Sequence, residues 1–123
     1  MQSARFAIER RDGATVLHLS GDLRVDQVPD LYDPLIRALK DEQRVFADLS
    51  GVAYLDSAGI AFLVGLSKRL AAGHGGKIVL CGVREAVLGV FRTMKLDRLF
   101  PIRATLADAF LAEGLVDREA TRG

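Results

Sequence analysis

The sequence has little of several features that define other classes of protein. It contains a single cysteine, Cys81, so no disulfide can form within the chain, and a reducing compartment is expected. Basic and acidic residues nearly balance, with 17 Lys and Arg against 16 Asp and Glu. A chain without a basic surplus has no broad electrostatic attraction for nucleic acid. We therefore expect no direct nucleic-acid partner.

Long hydrophobic runs are also missing from the sequence. The longest apolar stretch, residues 58–66, contains two glycines, and it is far shorter than the roughly 20 residues that a membrane span needs. The first eleven residues lack the continuous apolar core of an export signal. The sequence therefore predicts a cytoplasmic protein that does not insert into a membrane.

Motifs for metal binding and for hydrolysis are absent as well. No group of His, Cys and carboxylate residues has the spacing of a metal site. A lipase-type nucleophile elbow needs glycine two residues before its serine, and Leu55 occupies that position before Ser57. Neither His18, in a predicted strand, nor His74, after a predicted helix, is obviously placed to serve Ser57. We expect no catalytic residues, no resident metal or cofactor, and no enzymatic activity.

What the sequence does have is a regular alternation of apolar segments. Hydrophobic residues make up 50% of the 123, enough for one buried core in a single domain. Asp12-Gly13 between two short apolar runs predicts a β-hairpin. The predicted strands lie near 5–9, 15–20, 44–49, 77–81 and 99–102, and helical spacing of apolar residues predicts helices near 28–39, 58–72, 84–94 and after Thr105.

The predicted order of elements is β-β-α-β-α-β-α-β-α, which specifies a fold class. Strands that alternate with helices form a mainly parallel sheet with right-handed crossovers. We expect a single α/β domain over residues 1–116, in which an N-terminal β-hairpin opens a mixed, mostly parallel sheet accompanied by about four α-helices. The polar residues 117–123 are expected to form a frayed C-terminal tail.

The most distinctive segment joins a predicted strand to a predicted helix and presents one hydroxyl, that of Ser57. Ser57 follows Asp56 and precedes Ala58-Gly59, where the helical pattern begins. In one interpretation Ser57 is the N-cap, whose oxygen accepts from a free helix amide. In the other it is a phosphorylation switch, because unpaired amides and a partial positive charge at a helix start tolerate a phosphate of about −1.5 to −2 charge. The residues alone leave both interpretations open.

Two charged residues, Asp22 and Arg24, follow the second predicted strand. Loops gather at the carboxyl ends of strands in open α/β sheets, so these residues form either a solvated turn or part of a surface near Ser57. The spacing does not decide between the two. Cys81, at a strand end, is expected to be a small buried hydrophobic residue.

Taken together, these elements resemble the STAS domain of bacterial anti-sigma factor antagonists. The core of the resemblance is Asp48-Leu-Ser-x-Val-x-Tyr-Leu-Asp-Ser-x-Gly-Ile60. Further agreement follows in order along nearly the whole chain, at Gly21-Asp22-Leu23, Gly75-Gly76, Val90-Phe91, 96–102 and Thr105-Leu106.

The resemblance implies a function that depends on Ser57. An anti-sigma factor that is also a serine kinase would phosphorylate Ser57, the unmodified form would bind that partner and release a sigma factor, and a serine phosphatase would reset the switch. ATP and Mg²⁺ would belong to the kinase. The implied partner-binding residues are Asp22, Arg24, Asp56, Ser57, Ala58 and Gly59, and a partner backbone is expected to approach closely at Gly59.

Two departures from the family pattern bear on that function. Ala58 stands where the family often has a second hydroxyl residue, so Ser57 is the only acceptor in the motif. Arg24 stands where the family commonly has Asp, and a cation there could stabilise a phosphate or alter the choice of partner. An alternative function in a different class is that of a STAS adaptor subunit in a lipid or anion transport complex.

Overall fold

The predicted order of strands and helices is present in the structure, a computed structural model that describes residues 3–11, 13–39 and 41–115. The strands are β1 (Arg5–Arg11), β2 (Ala14–Leu23), β3 (Arg44–Leu55), β4 (Lys77–Cys81) and β5 (Ile102–Arg103). The helices are α1 (Pro29–Leu39), α2 (Ser57–His74), α3 (Glu85–Thr93) and α4 (Leu106–Ala112), with a short 3₁₀ helix at Leu96–Arg98. The expected tail at 117–123 lies outside the described residues.

The five strands form one sheet in the order β1-β2-β3-β4-β5. β1 and β2 are the antiparallel hairpin, with Arg5 opposite Ser20 and Arg11 opposite Ala14. The pairs β2–β3, β3–β4 and β4–β5 are parallel. The predicted α/β class, with a hairpin that opens a mostly parallel sheet, is therefore confirmed.

Two clusters of buried side chains cover the two faces of this sheet. Right-handed crossovers between neighbouring parallel strands place α1, α2 and α3 on the same face, where Leu35, Leu66 and Phe91 are buried in one core with Ala47 of β3. α4 covers the opposite face, where Phe110 packs against Phe46 with the two ring centroids 4.6 Å apart. Successive residues of β3 alternate between the two cores, as the period of a strand requires.

β2 and β3 both extend beyond their predicted ends, and this extension carries the chain to Ser57. The prediction that the second strand ends near residue 20 is wrong, because pairing continues to Leu23, which lies opposite Leu55. The register of pairing with β3 shifts between His18 and Ser20 and again between Ser20 and Asp22, as at a β-bulge. Gly21 has a φ of 86°, and a Cβ there would overlap the backbone of Ser3, so only glycine fits.

The last strand and the end of α2 also differ from the prediction. The strand expected at 99–102 is instead the two-residue β5, preceded by the 3₁₀ helix, and Leu99 is exposed. Pro101 has no amide to donate to a ladder, although its carbonyl accepts from Leu80 at 2.9 Å. α2 continues to His74 and ends at Gly75, which has a φ of 68° and caps the helix in the left-handed conformation.

Candidate functional site

Ser57 lies at the carboxyl end of β3, as the first residue of α2, and its side chain is exposed. The N-cap is Asp56, not Ser57. Asp56 has extended backbone angles (φ −108°, ψ −170°), and its Oδ1 accepts from the amides of Ala58 at 2.9 Å and Gly59 at 3.1 Å. The interpretation of Ser57 as the cap is therefore wrong, because the carboxylate one residue earlier already satisfies these amides.

This cap leaves the Ser57 hydroxyl without a structural task. Among the residues that the structure describes, none of the hydrogen bonds involves the Ser57 side chain. The expectation that the helix start offers unpaired amides must be corrected, however, since the amides of Ala58 and Gly59 are occupied by Asp56. The favourable charge of the helix N-terminus remains, and it acts on any anion at Ser57 over a short range.

Asp56 also ties the two loops of the site together. Its Oδ2 accepts from the amide of Val25 at 3.0 Å, and its own amide donates to the carbonyl of Leu23 at 3.2 Å. The Val25 amide is the main reason that the pKa of Asp56 is lowered; partial burial opposes it, and the amides of Gly59 and Ala58 and the charge of Arg24 lower it further. The carboxylate therefore stays ionised at neutral pH and fixes the loop that carries Arg24 beside Ser57.

Arg24 and Asp22 complete this side of the surface. The Arg24 guanidinium lies 5.3 Å from the ring centroid of Tyr54, a cation–π distance, and its Nε is 4.0 Å from Asp26 Oδ1. Asp22 pairs with Tyr54 across β2 and β3, and both Asp22 and Arg24 are partly exposed. The structure thus brings both residues to the same edge of the sheet as Asp56, in agreement with the surface interpretation.

Gly59 is a different case from its neighbours. It is buried, and a Cβ at this position would overlap the carbonyl oxygen of Leu23 and lie 2.9 Å from the Leu23 Cβ and 3.0 Å from the Leu55 Cβ. The close approach that glycine permits is therefore made by the protein's own β2. The expectation that a partner backbone approaches Gly59 is wrong, because the position is already covered.

Sequence reasoning missed an apolar groove beside Ser57, between α1 and α2. The groove has a volume of about 290 Å³ and is lined by Val28, Tyr32, Ala58, Ala61 and Phe62 among others. The rings of Tyr32 and Phe62 meet edge to face, with centroids 6.0 Å apart. The available signal was an aromatic residue on each of two successive helices, but their meeting depends on how the helices pack.

Two other candidates from the sequence lie outside this site. The ring nitrogens of His18 contact Glu9 and Asp48, so His18 does not serve Ser57. Burial first, and the nearby charge of Asp48 second, raise the pKa of the Cys81 thiol to about 12. Cys81 is fully buried in the core beneath α4, which confirms it as a small buried hydrophobic residue.

Within the described ranges, no group of three or more His, Cys, Asp and Glu side chains could hold a metal ion. Over the same residues, no helix is both long enough and apolar enough to cross a membrane. α2, with 18 residues, is the longest helix described, and it carries charged residues near its C-terminal half, at Lys68 and Arg69.

Comparison with known proteins agrees with this architecture. A Bordetella bronchiseptica protein named as an anti-sigma factor antagonist, BtrV, is 28% identical over 110 residues, which cover 86% of this chain and 94% of that protein. The crystal structure of an anti-sigma factor antagonist from Mycobacterium paratuberculosis is 27% identical, with a TM-score of 0.79 over 89% of this chain and 93% of that one.

A third similarity extends to a more distant structure, that of the anti-sigma factor antagonist SpoIIAA in its unphosphorylated form. It is 20% identical, with a TM-score of 0.71 over 92% of this chain and 100% of that one, which shows a shared fold. The family model of the STAS domain matches residues 5–109. These residues include the whole sheet, the Asp56 cap and Ser57, and the chain belongs to the STAS domain family.

Proposed function

We propose that this protein is an anti-sigma factor antagonist, whose unmodified form binds an anti-sigma factor and whose release is controlled by phosphorylation of Ser57. The observation that carries the proposal is the exposed Ser57 hydroxyl, which Asp56 relieves of any capping task. A serine that stabilised the helix could not be modified without loss of structure. Here the modified atom and the structural atoms belong to different residues.

A phosphate on Ser57 would be poorly compensated at this position. The helix charge favours an anion there, but the carboxylate of Asp56 is adjacent and already accepts from the amides of Ala58 and Gly59. A partner that covers Ser57 would have to strip water from a group of about −1.5 to −2 charge without a full set of donors. The phosphate therefore weakens docking while leaving the fold intact.

Arg24 supplies a cation on this surface, and we assign it a modulating role. Its charge contributes to the lowered pKa of Asp56, so its field reaches the start of α2. The stacked position over Tyr54 keeps the guanidinium at the rim of the surface. Arg24 would pair with the phosphate only by leaving Asp26 and the ring, which makes it a regulator of how long the modification lasts.

The docking surface comprises Asp22, Arg24, Asp56, Ser57 and Ala58. The apolar groove begins at Ala58, so a partner that covers Ser57 also reaches Tyr32 and Phe62. Polar and apolar contacts of this modest extent suit a transient interface. In this proposal the protein acts only by binding; a partner that is itself a serine kinase supplies ATP and Mg²⁺, and a separate serine phosphatase reverses the modification.

A pull-down from a lysate of the source organism tests the proposal. The baits are the wild type, Ser57→Asp and, as a control in the same helix, Ser67→Asp, and the retained proteins are identified by mass spectrometry. A kinase-like ATPase that is held by the wild type and by Ser67→Asp, but lost with Ser57→Asp, is the expected result. Retention of a permease would favour the transport adaptor, and equal retention of the same proteins by all three baits would contradict the switch.

A further inference from the structure

A second polar group lies apart from Ser57, across three strands of the sheet. His18 of β2 is between Glu9 of the edge strand β1 and Asp48 of β3. Its Nε2 lies 2.8 Å from Glu9 Oε1, and its Nδ1 lies 3.0 Å from Asp48 Oδ2. The three side chains lie on the face that α4 partly covers, since the neighbouring residues Val16 and Phe46 on this face pack beneath α4.

The number of protons at this site follows from the geometry. Ionised carboxylates accept hydrogen bonds and cannot donate them, and a neutral imidazole has one N–H donor while an imidazolium has two. A neutral His18 would leave one ring nitrogen lone pair facing a carboxylate oxygen at hydrogen-bond distance. We infer that His18 is an imidazolium that clamps β1 to β3 across β2, and that the clamp opens when this proton is lost.

Each carboxylate is held in its ionised form by a further donor. Arg11 donates to Glu9 through Nε at 3.1 Å to Oε2 and through Nη2 at 3.0 Å to Oε1. Asp48 Oδ1 accepts from the amide of Ser50 at 3.0 Å. With a second donor on each partner, the proton resides on the imidazole and not on a carboxyl group.

Of the described elements that lie near this group, β4 and α3 contribute no charged side chain in contact with the imidazole. β4 contributes Cys81, whose thiol donates to the Ala47 carbonyl at 3.6 Å and stays protonated because burial and the charge of Asp48 raise its pKa. Arg84, at the start of α3, donates through Nε to the Ser50 carbonyl at 2.8 Å. Among the described residues, the charged groups in direct contact with the imidazole are Glu9 and Asp48. Glu113, at the end of α4, pairs instead with Lys77 at 3.0 Å.

The pKa directions agree with this arrangement. Partial burial lowers the pKa of His18, but the hydrogen bonds and charges of Glu9 and Asp48 outweigh it, so that the pKa is raised overall. The pKa of Glu9 is lowered, chiefly by His18 and Arg11. Burial raises the pKa of Asp48, but the Ser50 and His18 hydrogen bonds outweigh it, and the net direction is downward.

The sign of the pH dependence follows from these directions. A histidine whose pKa is raised on folding stabilises the folded state. The contribution is complete at pH values below the unfolded pKa of about 6.5, and it is lost as pH rises through the pKa of the folded protein. The lowered carboxyl pKa values give stability that is lost as pH falls through the folded values. The clamp is therefore closed at pH values between the lowered folded values of Glu9 and Asp48 and the raised folded value of His18, and it opens as pH rises through that His18 value.

The first test is an NMR titration of the His18 ring in a His74→Gln background, which leaves one imidazole to observe. The ring of the folded protein should titrate above the ordinary histidine value of about 6.5, and Glu9→Gln and Asp48→Asn should each shift the titration downward. Titration at or below the ordinary value, or no shift in either variant, would overturn the assignment.

A second measurement follows the strands themselves by hydrogen exchange, with protection factors corrected for intrinsic rates at each pH. Protection of the β1 amides should fall as pH rises through the His18 titration, while protection within α2 stays constant. His18→Gln should abolish this pH-dependent step. If β1 protection in the wild type is flat through the titration, the imidazolium does not act as a clamp and the proposal fails.

Discussion

Ser57 and Gly59 lie two residues apart in the first turn of α2, yet their surroundings are opposite. The hydroxyl of Ser57 is exposed and bonded to none of the described residues, whereas Gly59 is buried against Leu23 so closely that no side chain fits. One short motif therefore contains a residue free to be modified and a residue fixed by packing. Asp56 makes this division possible, since Asp56 and not Ser57 is the N-cap of α2.

The largest expected loss of stability comes from a substitution at the tightly packed residue, Gly59. Gly59→Ala should lower the free energy of unfolding by roughly 1–3 kcal/mol or more, because the added Cβ overlaps the Leu23 carbonyl and lies 2.9 Å from the Leu23 Cβ. The matched control is Gly89→Ala in α3, where, apart from the adjacent residues and the backbone of the helix itself, no described atom lies within 4 Å of the new Cβ. The control should gain roughly 0.5–1 kcal/mol from helix propensity.

Urea denaturation of the two glycine variants measures this difference directly. Opposite signs for Gly59→Ala and Gly89→Ala are expected. Equal stabilisation of both variants would mean that β2 does not lie against the start of α2 as described. Far-UV circular dichroism of each variant confirms that the comparison is made between folded proteins.

Substitution of the N-cap residue, Asp56, should lower the stability by a smaller amount. Asp56→Ala loses the cap and the bond to Val25, so its urea midpoint should fall. Asp56→Asn should fall between Ala and wild type, because the amide oxygen can still cap the helix while its NH₂ group cannot accept from Val25. An asparagine variant as unstable as the alanine variant would argue against the assignment of the cap.

The difference in stability between the wild type and Asp56→Asn should depend on pH. The pKa of Asp56 is lowered in the folded state, foremost by the Val25 amide. Its stabilising contribution is therefore present above the ordinary aspartate value of about 3.9 and is lost as pH falls through the lower folded value. The gap in urea midpoint between wild type and Asp56→Asn should narrow between pH 6 and pH 3; an unchanged gap would show that the charge is immaterial.

A change at the rim of the surface should alter rates and leave the fold untouched. Arg24→Gln should change the rate at which the phosphatase removes phosphate from Ser57 by up to about fivefold, as an exposed ion pair contributes roughly 0.2–1 kcal/mol. Arg37→Gln, on the exposed side of α1, is the control. Identical rates of phosphorylation and dephosphorylation for Arg24→Gln and Arg37→Gln would dismiss the role of Arg24.

The smallest expected change in stability comes from a substitution at the exposed residue, Ser57. Ser57→Ala should change the free energy of unfolding by less than about 0.5 kcal/mol, since the lost hydroxyl bonds to no described residue. Incubation with the cognate kinase and ATP should leave this variant unmodified. A large loss of stability would show that Ser57 is structural, and unchanged phosphorylation would move the acceptor elsewhere.

The order of the elements could be predicted from the sequence because apolar periodicity is local. The strand ends could not, since the bulges near Ser20 and Gly21 depend on pairing with β3. The cap was missed for a related reason: Asp and Ser are both good N-caps, and only the backbone angles of Asp56 decide between two adjacent residues.

Contacts between distant parts of the chain account for the remaining differences. Gly59 is covered by Leu23, which is 36 positions earlier in the numbering, and no local pattern reveals that burial. His18 meets Asp48 across parallel strands and Glu9 across the hairpin, so a lone histidine in the sequence gave no indication of two carboxylate partners. By contrast, Ser57 could be singled out as the candidate acceptor from the sequence, because the motif around it is contiguous.

The proposed function depends most on one step, in which a phosphate on Ser57 weakens the binding of an anti-sigma factor. Isothermal titration calorimetry can compare the unmodified protein with protein phosphorylated stoichiometrically at Ser57, each titrated against the isolated partner. We predict that phosphorylation weakens the affinity at least about tenfold, or about 1.4 kcal/mol, at an unchanged melting temperature. Equal affinity of the two forms for that partner would contradict it.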